Sequence, residues 1–478
     1  MNISTTCTTI VSDLTSPAAV YLRVRDLFSR AFLFESSDYH GAGDCRSFVC
    51  CDPIAEFVIS NGQCFTRRGT RVSEPTSVPA ATGLSTLLTE FMHSFQIAEP
   101  DTGLPKGVNP GLFGHICWDA VQYAEQVELT KKPHEGHSIP EVHFTLFRYV
   151  IAFNPLRNEA YVLHSQTQSE AVSHGDISSF VRRAFEGEVK TSPFQKVGAE
   201  ESVLSDEEFL ELVRTCKRHI ARGDVFQIVP SRRFMQPFEG DEFQVYRAIR
   251  SINPSPYLFY CDYGSFRLFG SSPEAQIAVS NGSAVIYPLA GTYPRTGDDV
   301  SDKERAERLL ADEKENAEHC MLVDLARNDL SRHCRGVHVE RFRDVQYFSH
   351  LIHLVSKVSG RLSEESSTVQ IVCDTFPAGT LSGAPKHRAM QLLDRYEPHS
   401  RGQYGGCVGF LGFNGDAILG ICIRSFLSIH HTLVYQGGGG VVHDSVPENE
   451  LLEVRTKLGA LRAAIDKATK LAPSGDIV

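Results

Sequence analysis

The 478-residue sequence predicts an α+β fold, with largely antiparallel sheets flanked by helices. Three observations carry this. AQIAVSNGSAVIY and GFLGFNGDAILGICI read as strand–turn–strand, centred on Asn281-Gly282 and Asn414-Gly415. Asn-Gly supplies the positive φ angles of a tight hairpin, and sheets built by hairpins are antiparallel rather than doubly wound. The third observation is a set of helix starts in which a Ser precedes a Glu by three residues, the spacing of a capping box.

In chain order, residues 18–165 carry strand-like runs (RSFVCCDPIAEFVI, HFTLFRYVIAF, EAYVLHS) separated by polar loops. Residues 166–204 are polar, with one short helical piece, FVRRAFEG, and read as a linker. The second part, 205–466, opens at Ser205, three before Glu208. Phe209, Leu210, Leu212, Val213 and Ile220 follow at helical intervals, and Gly223 fits the stop. A strand, VFQIVP, comes next, then the two hairpins. A long helix is expected after Ser301 (SDKE), holding Glu315 and Glu318. A last helix is expected after Ser445, with Pro447 in its first turn, where a missing N–H costs little.

Composition excludes several classes. The formal net charge is -11 and no Lys/Arg-rich run occurs, so general affinity for nucleic acid is not expected. No apolar run approaches the ~20 residues needed to span a bilayer. MNISTTCTTIVSDLTSPAAVY has neither a basic nor an apolar segment of a secretory signal. The 13 cysteines show no CxxC spacing, which points to free thiols in a reducing cytoplasm rather than a disulfide or zinc framework.

Several constellations could carry chemistry. Glu315 and Glu318 share a helix face, as do Glu450 and Glu453, with Lys457 four on from Glu453. Each pair alone has a plain reading as a solvated face; two pairs meeting in space would make a hard-oxygen site suited to Mg²⁺. YQGGGGVVHDS brings glycine N–H groups within reach of a ligand, though no GK[ST] follows and a simple turn is the alternative. Arg424 lies among apolar neighbours in ILGICIRSFL, where it must pair or bind an anion. Glu274, behind a Pro at a strand start, is either an exposed strand-end residue or a shielded general acid. His353 sits in an apolar run, where a satisfied core histidine is usual, and Lys386 reads as a helix cap.

Taken in order, GDVFQIVPSRRF, INPSPYLFY, GSSPE, YPLAGTYPRTG, EKENAEHCMLVDLARNDL, FPAGTLSGAPK, YGGCVGF, AILGICIRSF and GGGGVVHDSVPENELLEVRTK resemble the chorismate-utilising enzymes, across about 205–465 with no block missing. The resemblance implies stacked sheets in an α/β/β/α sandwich. It implies Mg²⁺ held by Glu318 and Glu453, with Glu315 and Glu450 in support. Arg424, Tyr404 and the N–H groups of Gly438, Gly439 and Gly440 match positions that hold the enolpyruvyl carboxylate. Gly291 and Thr292 line the substrate, Lys457 lies near the metal-bound end, and Glu274, His353, Gln227 and Thr380 match catalytic positions.

Two positions separate the branches of that family. Isochorismate and salicylate synthases carry a water-activating Lys where this chain has Gln227. Many aminodeoxychorismate synthases carry a nucleophilic Lys in Pro-Ile-Lys-Gly-Thr, which here reads Pro288-Leu289-Ala290-Gly291-Thr292. Both departures favour direct attack by ammonia, as in anthranilate synthase large subunits. FLFESSDY resembles the tryptophan feedback element of those subunits, with Phe34 in place of a Leu; its partner element spans Asn253 to Leu258, with Leu258 in place of a Met. Glu35, Ser36, Pro256, Tyr257 and Leu258 are thereby expected to bind L-tryptophan. The chain ends at Val478 without a glutaminase domain, so ammonia is expected from a separate glutamine amidotransferase subunit, in a heterotetramer of two large and two small subunits. The rivals are an aminodeoxychorismate synthase that manages without the Lys, and a tryptophan-binding regulatory protein with a dead site.

Overall fold

A computed structural model describes residues 1–36, 47–98, 103–105, 107–167, 177–347 and 351–471. The feedback-like stretch therefore continues past Ser36 into residues outside the described set, as do residues 168–176 of the expected linker and the stretch from residue 472 to Val478.

Two antiparallel ladders branch from one long pair of strands, Ser47–Ser60 and Val142–Asn154. The first ladder runs from Ser47–Ser60 through Ala31–Glu35, Tyr257–Asp262, Arg267–Ser272, Ser425–Ile429 and Thr432–Gly438 to Ser231–Gly240. The second leaves Val142–Asn154 through Gly111–Ile116, Cys407–Gly412, Ala417–Ile421, Ala275–Ser280 and Ser283–Ile286 to Leu351–Leu362. Phe32, Phe147, Phe259 and Leu427 of the first part of this framework pack with Phe113 and Val408 of the second in one buried cluster, so the sheets stack face to face. Helices cover the outer faces. Asp206–Ala221, Phe243–Ile252 and Pro447–Ala468 pack together over the first ladder, and Glu313–Ser331 packs on the second. The four-layer expectation holds.

Both hairpins form, pairing Ser280 with Ser283 and Leu411 with Ala417, but the second turns through five residues, with positive φ at Gly415 and not at Asn414. In the first, Asn281 has φ 50° and Gly282 φ 73°, the left-handed pair that its tight turn requires. Ser205 makes the full capping box with Glu208, and Gly223 (φ 82°) follows the end of that helix.

Three local expectations need correction. The helix after Ser301 is two helices: Asp299–Ala311, capped by Asp298, and Glu313–Ser331, capped by Asp312. Asp312 leaves helical geometry (ψ 110°) and its carboxylate accepts from Glu315 N–H at 3.1 Å, so the chain restarts one turn before Glu318. The last helix, Pro447–Ala468, is not capped by Ser445, whose hydroxyl instead accepts from Val442 N–H at 3.0 Å. The strand at VFQIVP is reduced to Gln227–Ile228, paired with Gly383–Ala384. Lys386 caps a helix as expected, since its ammonium donates to Thr375 O at the end of Thr368–Thr375 at 3.1 Å, and it also pairs with Asp329 at 2.9 Å.

Within 166–204, the helix Ile177–Glu186 packs on Pro17–Val24, where Arg23 donates to Gly187 O at 2.6 Å. Phe194–Lys196 pairs with Ser231–Gly240. Every cysteine among the described residues is a free thiol, most of them buried. No helix of the described residues is long and apolar enough to cross a membrane.

Candidate active site

Twice the chain steps directly from a strand of one ladder to a strand of the other, and each of these crossings carries a predicted site residue. Arg267–Ser272 belongs to the first ladder and Ala275–Ser280 to the second; Glu274 lies between them. Ala417–Ile421 belongs to the second and Ser425–Ile429 to the first; Arg424 lies between them. Arg424 is thus not inside a strand as the sequence suggested. Its φ is 47°, unusual for a non-glycine residue, and this turns the chain from one sheet to the other.

Around these crossings, Glu274 and His353 each lie within electrostatic reach of Arg424 and Lys457. Thr380 Oγ1 donates to Glu274 Oε1 at 2.8 Å. Burial pushes the Glu274 carboxyl up to about 7, against the opposing pull of the Thr380 bond, Lys457 and Arg424. Burial lowers the His353 imidazole to about 4, helped by Arg424 and Lys457. Burial also lowers the Arg424 guanidinium, with Glu274 opposing. His353 is paired in register with Thr292, and its Nδ1 lies 3.3 Å from Gly291 O. A carbonyl only accepts, so Nδ1 carries the proton and, in the neutral ring, Nε2 is the acceptor. Gly291 (φ 80°) sits at the bulge that turns its carbonyl toward this ring. The side chain of Thr292 lies outside the described set.

Carboxylates from both acidic helices reach the glycine turn after Thr432–Gly438. A Cβ on Gly439 would stand 3.1 Å from Glu450 Oε2 and 3.7 Å from Glu453 Oε1. A Cβ on Gly440 would stand 2.7 Å from Gln227 Nε2 and 3.9 Å from Glu318 Oε1. Adjacent glycines therefore separate carboxylates from Glu313–Ser331 and Pro447–Ala468, and only residues without side chains leave that gap open. Gln227 Nε2 donates to Glu318 Oε1 at 3.3 Å. Lys457 Nζ lies 2.7 Å from Glu453 Oε1 and donates to Gly438 O at 3.1 Å. Glu450 is buried, whereas Glu453 keeps 48% of its side chain exposed. Glu315 lies a turn earlier, where its charge adds to the Asp312 hydrogen bond that chiefly raises the Tyr293 hydroxyl. Among the described residues no group of three or more His, Cys, Asp or Glu side chains is gathered as a metal cluster.

Tyr404 joins the same turn: its hydroxyl would lie 3.0 Å from a Cβ on Gly438. The sequence missed what holds it. Arg401, 1% exposed, bonds Glu397 through two nitrogens and donates to Leu381 O and Val229 O at 2.6 Å each. Its guanidinium lies 5.7 Å from the Tyr404 ring. The only hint in the sequence is a charged residue beside a glycine, which reads as an exposed turn.

The residues expected to bind tryptophan are adjacent but do not all point one way. Glu35 pairs in register with Leu258, and strand alternation puts Ser36 and Tyr257 on the opposite face. The Glu35 carboxylate is buried against the helix Phe243–Ile252, accepting from Tyr246 Oη at 2.7 Å and pairing with Arg250 at 3.0 Å. Tyr257 packs on the second ladder, 2.8 Å from where a Cβ on Gly420 would be. Pro256 lies between Ser255 and that strand. Asn253 links this element to the site, because its Oδ1 accepts from Arg424 Nη1 at 3.3 Å.

Comparison with known proteins identifies the family and the fold. Residues 29–463 match the family described as chorismate binding enzyme. Anthranilate synthase component 1 of Acinetobacter calcoaceticus is 34% identical, over 98% of this chain and 95% of its own. The Thermus thermophilus protein of the same name is 35% identical, over 96% and 97%. Among solved structures, anthranilate synthase component I from Streptococcus pneumoniae superposes with a TM-score of 0.74 at 29% identity, covering 95% of this chain and 99% of that one. The menaquinone-specific isochorismate synthase of Escherichia coli gives the same TM-score, 0.74, at 18% identity, over 97% and 94%, and shares the fold.

Proposed function

This chain belongs to the chorismate binding enzyme family, and from that premise we propose that it is component I of an anthranilate synthase. It converts chorismate and ammonia to anthranilate, pyruvate and water. The observation that carries this is that Glu318 and Glu453 both border the Gly439–Gly440 turn, while Glu274 and His353 each lie within electrostatic reach of Arg424 and Lys457.

The donor set fits Mg²⁺. The protein contributes two glutamate oxygens, and Mg²⁺ favours one or two carboxylates with water and substrate oxygens completing its shell. Glu318 and Glu453 would hold it, with Glu450 behind them. When bound, the ion neutralises the ring carboxylate of chorismate and fixes its orientation. Arg424 and Tyr404, with the N–H groups of Gly438 to Gly440, bind the enolpyruvyl carboxylate. Ammonia attacks C2. Glu274, half-protonated near pH 7, gives its proton to the departing 4-hydroxyl, a poor leaving group without an acid. Neutral His353, with Nε2 as its acceptor, is suited to take a proton as pyruvate is eliminated. Gln227 stands where a water-activating base would be needed for isochorismate formation, and an amide cannot serve as one.

Ammonia is supplied by a glutamine amidotransferase subunit, in a heterotetramer in the cytoplasm, and L-tryptophan inhibits through the Glu35–Ser36 and Pro256–Leu258 segments. The test is product identity. Purified chain with chorismate, Mg²⁺ and an ammonium salt should develop anthranilate fluorescence. Accumulation of aminodeoxychorismate or isochorismate without anthranilate would overturn the proposal.

A further inference from the structure

Glu274 borders a cavity of about 40 Å³, large enough for more than one water, whose lining includes none of the residues of the glycine turn. Glu274 and Thr380 line it, as do the apolar Leu322 and Ala326 of Glu313–Ser331. Tyr287, 36% exposed, also lines it and brings it to the surface. Gln276 is the residue that marks it. This side chain is 3% exposed, and its Nε2 donates to Thr375 O at 2.9 Å. Its Oε1 has no hydrogen-bond partner among the described residues. A buried amide oxygen left so is costly, and an apolar side chain would serve packing better at this position. Gln276 is itself one of the residues lining the cavity.

We infer that this cavity holds the water that returns a proton to Glu274 after each turnover, with Gln276 as the positioning residue for that water. The inference rests on the proposed reaction. When the 4-hydroxyl leaves as water it carries the Glu274 proton away, and Glu274 remains as carboxylate. Substrate then fills the front of the site. The charged groups around the carboxyl are Lys457, Arg424 and the Asp329–Lys386 pair. A cavity water bonded to Gln276 Oε1 gives its proton to Glu274 and takes one from solvent at the Tyr287 mouth. The ammonium formed at C2 releases one proton to solvent, so the cycle balances without another reactant.

The experiment compares the full chain with Gln276→Leu, which removes the acceptor at similar volume, and Ala326→Leu, which fills the cavity from another element. With chorismate, Mg²⁺ and ammonium, both variants should lower kcat roughly tenfold, leave KM for chorismate unchanged and raise the solvent deuterium isotope effect on kcat. A crystal structure of the unsubstituted chain should show water within hydrogen-bond distance of Gln276 Oε1. Unchanged kcat and isotope effect in both variants, or a dry cavity, would overturn the inference. Failure of the unsubstituted chain to form anthranilate would remove the reaction itself, and this inference with it.

Discussion

Thr380 Oγ1 donates a hydrogen bond to Glu274 Oε1, and that bond favours the charged form of a carboxyl whose task requires the neutral form. Burial outweighs it and leaves the group near 7, where a general acid is half available and readily recharged. The acid form is lost as pH rises, so kcat/KM should fall on a basic limb near pH 7. Thr380→Val removes a bond to the carboxylate and should move that limb to higher pH. A pH–rate profile of the two proteins checks this; a shift to lower pH would contradict it.

Glu274→Gln should reduce kcat by about a hundredfold or more, since no proton can be given to the leaving hydroxyl. It should not cost stability above pH 7. A carboxyl raised in the folded state is harder to ionise folded than unfolded, so it weakens the fold as pH rises from the ordinary carboxylate range through about 7. The amide carries no such penalty. Thermal melts at pH 6 and 8 read this directly: the substituted protein should lose less between the two.

Gly440→Ala places a methyl 2.7 Å from Gln227 Nε2, the far end of a side chain that also donates to Glu318. The amide must give way, and Glu318 loses that hydrogen bond. Turnover should drop at least tenfold while stability changes by about 1 kcal/mol or less. Gly383→Ala is the contrast. There the added atom meets Gln227 O at 2.2 Å with φ at 134°, so the backbone itself must move and the fold should weaken by roughly 1–3 kcal/mol. Chemical denaturation separates the two.

Asn253→Ala should raise KM for chorismate several-fold with a smaller effect on kcat. The Asn253 amide steadies Arg424 at its bend between the sheets, and Ser271 Oγ in turn donates to Asn253 O. Steady-state kinetics checks it; an unchanged KM would show that Arg424 holds its place alone.

Parts of this were legible in the sequence for physical reasons. Asn281-Gly282 and Ser205–Glu208 encode their turn and cap locally, so each could be read from a few residues. The break at Asp312 could not, because a lone Asp in a charged helical pattern gives no sign that it will cap a second helix. Ser445 has the right spacing from Glu448, yet its hydroxyl found Val442 N–H first. The bend at Arg424 has no local code, since a non-glycine residue at positive φ is set by the sheets on either side. Helical spacing put Glu318 on a face with Glu315, and Glu453 with Glu450. That Glu318 and Glu453 both border Gly439–Gly440 is tertiary information, and at the sequence level it came from resemblance alone.

The most direct measurement is anthranilate formation against Mg²⁺ concentration for the unsubstituted chain, Glu318→Gln and Glu453→Gln. The unsubstituted chain should be inactive in chelator and recover saturably with Mg²⁺; each variant should lose nearly all turnover while melting at a similar temperature. Activity in chelator, or near-normal Mg²⁺ saturation in either variant, would contradict a divalent cation clasped between the two helices.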